Sequence, residues 1–166
     1  MSEWDIVFSK QIIRRFSEQS RNIALYFSQL VVTMEKRPLT DEYDIEVLID
    51  VFYTKVLRHK ELSVFFSDAV KNWEYHKKRF VQFWSAQILF TDTYDGGTPL
   101  PQHVEIDRKY GGKFKKEHFD AWTNIWVETV NELYVGEKAE LAKETGENMA
   151  RNIYMKMFLN RKPSNF

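Results

Sequence analysis

The sequence predicts an all-α fold, and three observations carry that prediction. Apolar residues recur at three- and four-residue intervals in several long segments, the spacing that lines one face of a helix. Glycine and proline number only 6 and 4, too few for a turn-rich β fold. A length of 166 residues is about one domain's worth and is enough to bury a sizeable core.

The elements follow in order. Trp4, Phe8, Ile12, Phe16, Ile23, Phe27, Leu30, Val31 and Met34 form an amphipathic stripe of one or two helices, broken near Ser17 to Ser20. Lys36-Arg37-Pro38 ends it, because proline disfavours helix at the preceding residue. Thr40 is the expected N-cap of the next helix, with Asp41, Glu42 and Asp44 in its first turn, where acidic side chains favour the helix dipole. Its stripe is Ile45, Leu48, Ile49, Phe52, Tyr53, Val56 and Leu57. A short helical piece carries Leu62, Phe65 and Phe66, and a long helix runs from about Val70 to Phe90 with Trp73, His76, Phe80, Phe83, Trp84, Gln87 and Ile88 on one face.

Residues 91 to 113 break the pattern. Asp95-Gly96-Gly97, Pro99, Pro101 and Gly111-Gly112 mark a loop with room for a short helix around His103. The helix predicted over 115 to 134 buries Phe119, Trp122, Ile125, Trp126, Val130 and Leu133. Gly136 separates it from a last helix with Leu141, Thr145, Met149, Ile153 and Met157, and the polar tail from Asn160 contains Pro163. No internal repeat or low-complexity segment interrupts the series.

Composition narrows the chemistry. Basic and acidic residues balance at 24 each, so nothing pulls the chain electrostatically toward nucleic acid. The absence of cysteine excludes disulfides, zinc–thiolate sites, iron–sulfur clusters and cysteine nucleophiles. No stretch of 18 apolar residues predicts membrane insertion, and MSEWDIVFSK lacks the opening of a signal peptide; the expectation is a cytoplasmic protein. Lys10, Arg14, Arg15 and Arg21 are diluted by Glu3, Asp5 and Glu18, which speaks against a membrane-surface role. Aromatic residues make up 16% of the chain, as a ring-filled core or a pocket for a flat apolar ligand would require.

Nitrogen-ligated metal chemistry has four histidines to draw on. His59, between Arg58 and Lys60, reads as a solvated helix end. His118, beside Lys115, Lys116 and Glu117, reads as surface. His76 lies on the stripe of Trp73, Phe80, Phe83 and Trp84, where a hydrogen-bonded core histidine and a functional one are both open. His103 projects from a rigid proline-punctuated piece flanked by Leu100, Val104 and Ile106.

Taken in order, VFYTKVLRHKELSVFF, WEYHKKRFVQFWSAQILF, YDGGTPLPQHVEI and FDAWTNIWVETVNELY resemble the truncated haemoglobins, and within them the third group. The resemblance covers about residues 44 to 158 and implies a globin-like helical sandwich with extra N-terminal helix or helices. The domain division it suggests is a 1–38 extension, a 39–159 globin domain and a 160–166 tail. It implies haem b as cofactor, with His103 as the proximal iron ligand. Tyr53, beside Phe52, takes the part of the distal tyrosine, His76 that of the distal histidine and Trp122 that of the tryptophan completing the distal wall. Trp84 matches the inner aromatic of the distal helix, next to Phe80. Arg79, three residues after His76, is within reach of a haem propionate. The first forty residues have no counterpart in the family's core, and DRKYGGKF puts Gly-Gly where apolar packing is expected.

The implied ligands are oxygen, nitric oxide and carbon monoxide. Hydrogen bonds to a charged group contribute roughly 1.5–3 kcal/mol each, so donors on Tyr53 and Trp122 together slow oxygen release by about two to four decades if additive. That favours nitric oxide dioxygenase-like or peroxidase-like chemistry, with a reductase as a candidate electron source, over oxygen transport. The rivals are a gas or redox sensor that signals or dimerises through residues 1–38, and a haem-free helical interaction module.

Overall fold

The computed structural model describes residues 36–69 and 72–161. The predicted helices of the first 34 residues, the start of the helix expected at Val70 and the end of the tail lie outside the described residues. Among the described residues the elements are β1 (Arg37–Pro38), α1 (Glu42–Arg58), α2 (Leu62–Ala69), α3 (Trp73–Ile88), α4 (Leu100–Lys109), α5 (Lys116–Leu133), β2 (Tyr134–Val135) and α6 (Glu137–Asn160). The only sheet among them is a two-residue parallel pairing of β1 with β2, Arg37 opposite Tyr134 and Pro38 opposite Val135, which helical periodicity did not predict.

The start of α1 differs from expectation by one residue. Asp41, not Thr40, is the N-cap, accepting from the Asp44 backbone N–H at 3.0 Å, with Asp44 completing a capping box. Thr40 instead directs its backbone N–H and hydroxyl to Asp44 Oδ2, at 2.8 and 2.9 Å. Arg37 pairs with the same carboxylate, and the Tyr134 hydroxyl donates to the Asp44 carbonyl at 2.8 Å. Burial pushes the Asp44 carboxyl up, but the Thr40 hydrogen bonds and Arg37 outweigh it and hold the pKa below its ordinary value. A fully buried charge is thereby satisfied, and it ties the first helix to the α5–α6 junction.

Ile45, Leu48, Ile49, Phe52 and Val56 of α1 pack with Val81, Trp84 and Ile88 of α3 and with Trp126 and Val130 of α5. Leu57, expected on the same stripe, is exposed. Asn72 caps α3, its Oδ1 accepting from Tyr75 N–H at 3.0 Å. Phe90, at φ 59°, turns the chain out of that helix in the left-handed region. The Gly111-Gly112 pair takes φ 65° and 73°, so the glycines of DRKYGGKF build a turn rather than a packing surface.

The closest packing joins α5 to α6. Of the predicted α6 stripe, Ile153 and Met157 are buried, but Leu141, Thr145 and Met149 are only half-buried; the rest of the buried face is Ala139, Ala142, Gly146 and Ala150. Small residues sit there because Trp126 occupies the space: a Cβ on Gly146 would overlap its indole. The Trp126 Nε1–H donates to the Ala142 carbonyl at 2.8 Å, and its ring stacks on Trp84 with centroids 4.1 Å apart. At the far end of α6, Arg161 makes a bidentate pair with buried Asp107 of α4, at 2.8 and 3.0 Å, and donates to the Phe114 carbonyl. No helix among the described residues is long and apolar enough to cross a membrane.

Candidate functional site

A cavity of about 150 Å³ opens among the helices. Its wall takes Tyr53 from α1, Leu62 and Phe66 from α2, and Arg79, Phe80 and Phe83 from α3. The loop after α3 adds Tyr94 and Pro99, α4 adds His103, and Phe114 precedes α5. His118, Phe119 and Trp122 of α5 and Met149, Ala150 and Ile153 of α6 complete it.

His103 is oriented by its own helix start. Its backbone N–H and its Nδ1 both reach the Pro99 carbonyl, at 3.3 and 2.8 Å. A carbonyl only accepts, so Nδ1 carries the ring proton and Nε2 keeps its lone pair. Burial lowers the His103 pKa, opposed by the Pro99 bond, which leaves a neutral imidazole. This is the arrangement metal-ligating histidines use, with the second ring nitrogen anchored to a carbonyl.

Tyr53 presents a buried hydroxyl with no hydrogen-bond partner. Burial raises its pKa well above the ordinary value, so the O–H proton stays in place. His76 does not line the cavity; it lies behind Tyr53 and Phe80, with ring centroids 6.0 and 4.4 Å away. Burial, with a smaller contribution from His103, pushes its pKa down to about 4, and its Nε2 is buried without a partner.

Of the other residues singled out by sequence, Trp122, Arg79 and Phe80 are on the cavity wall. Phe52 and Trp84 are not: both are sealed in the core, Phe52 with its ring edge-on to Trp122 at 5.1 Å. Arg79 is paired with Asp95 at 2.6 Å and stacks over Tyr94 at 4.8 Å. His118, read from sequence as surface, lines the cavity. The missed signal is its spacing of four from Trp122, which puts both on one face of α5.

Among the described residues no cluster of three or more histidine, cysteine or acidic side chains could hold a metal ion. A metal here would therefore arrive in a cofactor that supplies the remaining ligands. One imidazole with a free Nε2, an unpartnered phenol and an apolar wall fit haem.

The fold and site define a globin-like helical protein with one carbonyl-anchored histidine on its cavity wall. No protein-family model matches the chain. It is 26% identical over 114 residues to a group 3 truncated haemoglobin of Campylobacter jejuni, covering 66% of this chain and 85% of that protein. It is 30% identical over 105 residues to a group 1 truncated haemoglobin of Synechocystis, covering 61% and 81%. The solved structure of a group III truncated haemoglobin from Campylobacter jejuni superposes with a TM-score of 0.66 at 23% identity, covering 78% of this chain and all of that one. The chain belongs to the truncated haemoglobin family of haem-binding globins.

Proposed function

We propose that residues 39–159 carry haem b on His103 and hold small diatomic ligands firmly with Tyr53 and Trp122, with His76 packed behind Tyr53, for chemistry on nitric oxide or peroxide rather than for oxygen delivery. When bound, haem would supply an iron able to take up a diatomic ligand. His103 offers the Nε2 lone pair, and the Pro99 carbonyl holds its ring in register. Phe80, Phe83, Phe119, Met149 and Ile153 would exclude water from the bound group.

The observation that carries this reading is the unpartnered Tyr53 hydroxyl on the same cavity wall as His103. A buried donor without an acceptor costs about 1–3 kcal/mol, and chains keep such groups where a ligand completes them. With its proton retained, Tyr53 can only donate to a ligand that gains negative charge. The Trp122 indole lies edge-on to Phe52, which fixes its ring beside Tyr53's own edge contact with Phe52 at 5.2 Å. His76 is neutral at pH 7 and takes up a proton only in acid.

The test is the visible spectrum of the purified full chain. Wild type should show a Soret band, and His103→Ala should lose it. A His103→Ala spectrum identical to wild type removes His103 as the ligand.

A further inference from the structure

The cavity wall carries two imidazoles in opposite tautomers. His103 has its proton on Nδ1, committed to Pro99, and a lone pair on Nε2. His118 is reversed. The Lys115 backbone N–H donates to His118 Nδ1 at 3.1 Å, so that nitrogen holds no proton and the ring's proton sits on Nε2. The ring is held by Phe65 and Phe114, with centroids 4.9 and 6.1 Å away.

We propose that His118 is a binding residue for a carboxylate of the cofactor, donating its Nε2–H from the edge of the cavity. This rests on the haem reading. A protonated Nε2 is a donor and not a metal ligand, so His118 complements His103 rather than replacing it. Haem is a flat apolar ring with two carboxylates, and each loses hydration where it meets an apolar wall unless a donor meets it. The wall's donors are Tyr53, Arg79, Tyr94, His103, His118 and Trp122; Tyr53 and Trp122 serve the proposed diatomic site and Tyr94 donates to the Gly97 carbonyl. The Arg79 charge is already matched by Asp95, and His103 is turned to Pro99. No hydrogen bond among the described residues occupies His118 Nε2, and that atom is not sealed from solvent. His118 is half-buried between the exposed first turn of α5 and the apolar wall, the boundary at which a partly hydrated carboxylate would lie.

The substitution that tests this must keep the helix cap, since losing it would weaken α5 for an unrelated reason. His118→Glu keeps an acceptor for the Lys115 N–H but has no donor. His118→Gln keeps both acceptor and donor. The measurement is haem loss from the full-length holoprotein to excess apomyoglobin, with haem and with haem dimethyl ester, whose carboxylates are masked. With haem, His118→Glu should release about five- to tenfold faster than wild type, the effect of a hydrogen bond to a charged group weakened by solvent. His118→Gln should stay within about twofold of wild type. With the dimethyl ester, the three proteins should release alike. Equal rates for His118→Glu and wild type with haem, or an unchanged difference with the ester, would overturn the proposal. Wild type that takes up no haem overturns the haem reading as well; a normal Soret band with an indifferent His118→Glu overturns this proposal alone.

Discussion

Trp122 and Trp126 stand four residues apart on α5 with rings only 10° from parallel, yet their surroundings differ. Trp126 is sealed, its Nε1–H answered by the Ala142 carbonyl and its face pressed to Gly146 and Trp84. Trp122 lines open space. The same contrast divides α1, where Phe52 is enclosed by Trp122 and Trp126 while neighbouring Tyr53 keeps an unanswered hydroxyl. Trp84 Nε1 and Ser85 Oγ are also unpartnered, on the core side. The difference teaches a division of labour along each helix. One face is filled to hold the rings still, and the other leaves volume and a donor for something the chain does not supply.

Filling the packed face further should break the contrast most severely. Gly146→Val drives a branched side chain into Trp126, and overpacking of this kind costs about 3 kcal/mol; a urea unfolding midpoint unchanged from wild type would show that α6 can move away. Acid should act on the layer behind the cavity wall. His76 has a folded-state pKa of about 4 against the ordinary 6.5, so the unfolded chain takes up the proton first as pH falls. Apoprotein stability is then fully present above about pH 6.5 and declines toward pH 4, by roughly 2–3 kcal/mol. His76→Leu should flatten that slope in urea titrations across the range, and an unaltered slope would relocate the proton uptake.

Tyr53→Phe sharpens the contrast by moving two quantities in opposite directions. Oxygen release should accelerate about tenfold or more in stopped-flow mixing, while the apoprotein should gain about 1 kcal/mol by shedding an unsatisfied hydroxyl. A slower release, or a loss of stability, would mean that the hydroxyl has a partner within the protein. The smallest effect belongs outside both faces. Lys116 and Asp120 pair at 2.7 Å with both side chains exposed, and Lys116→Ala should change the unfolding midpoint by less than about 0.5 kcal/mol.

Much of this was legible in sequence because helical periodicity reports burial directly. Ile45, Leu48, Ile49, Phe52 and Val56 are where that spacing put them. It failed where burial depends on smallness: Ala142, Gly146 and Ala150 carry no hydrophobic signal, although Trp126 demands them. The β1–β2 pairing and the Asp44 anchor join residues about ninety positions apart, beyond any local pattern. At the site, resemblance supplied the series Tyr53, His76, His103 and Trp122, but it could not separate the wall from the layer behind it, where His76, Phe52 and Trp84 lie. His118 was obscured by its lysine neighbours, because local composition outweighed the face it shares with Trp122.

The bond from His103 to Pro99 has an electronic consequence. An imidazole whose proton is drawn toward a carboxylate acquires imidazolate character and becomes a strong electron donor through its other nitrogen. A neutral proline carbonyl draws that proton far less. His103 is therefore a moderate donor, and a metal centre it holds would keep the more positive reduction potential that such a ligand confers. That would tilt the balance toward the reduced state, in which diatomic ligands are retained.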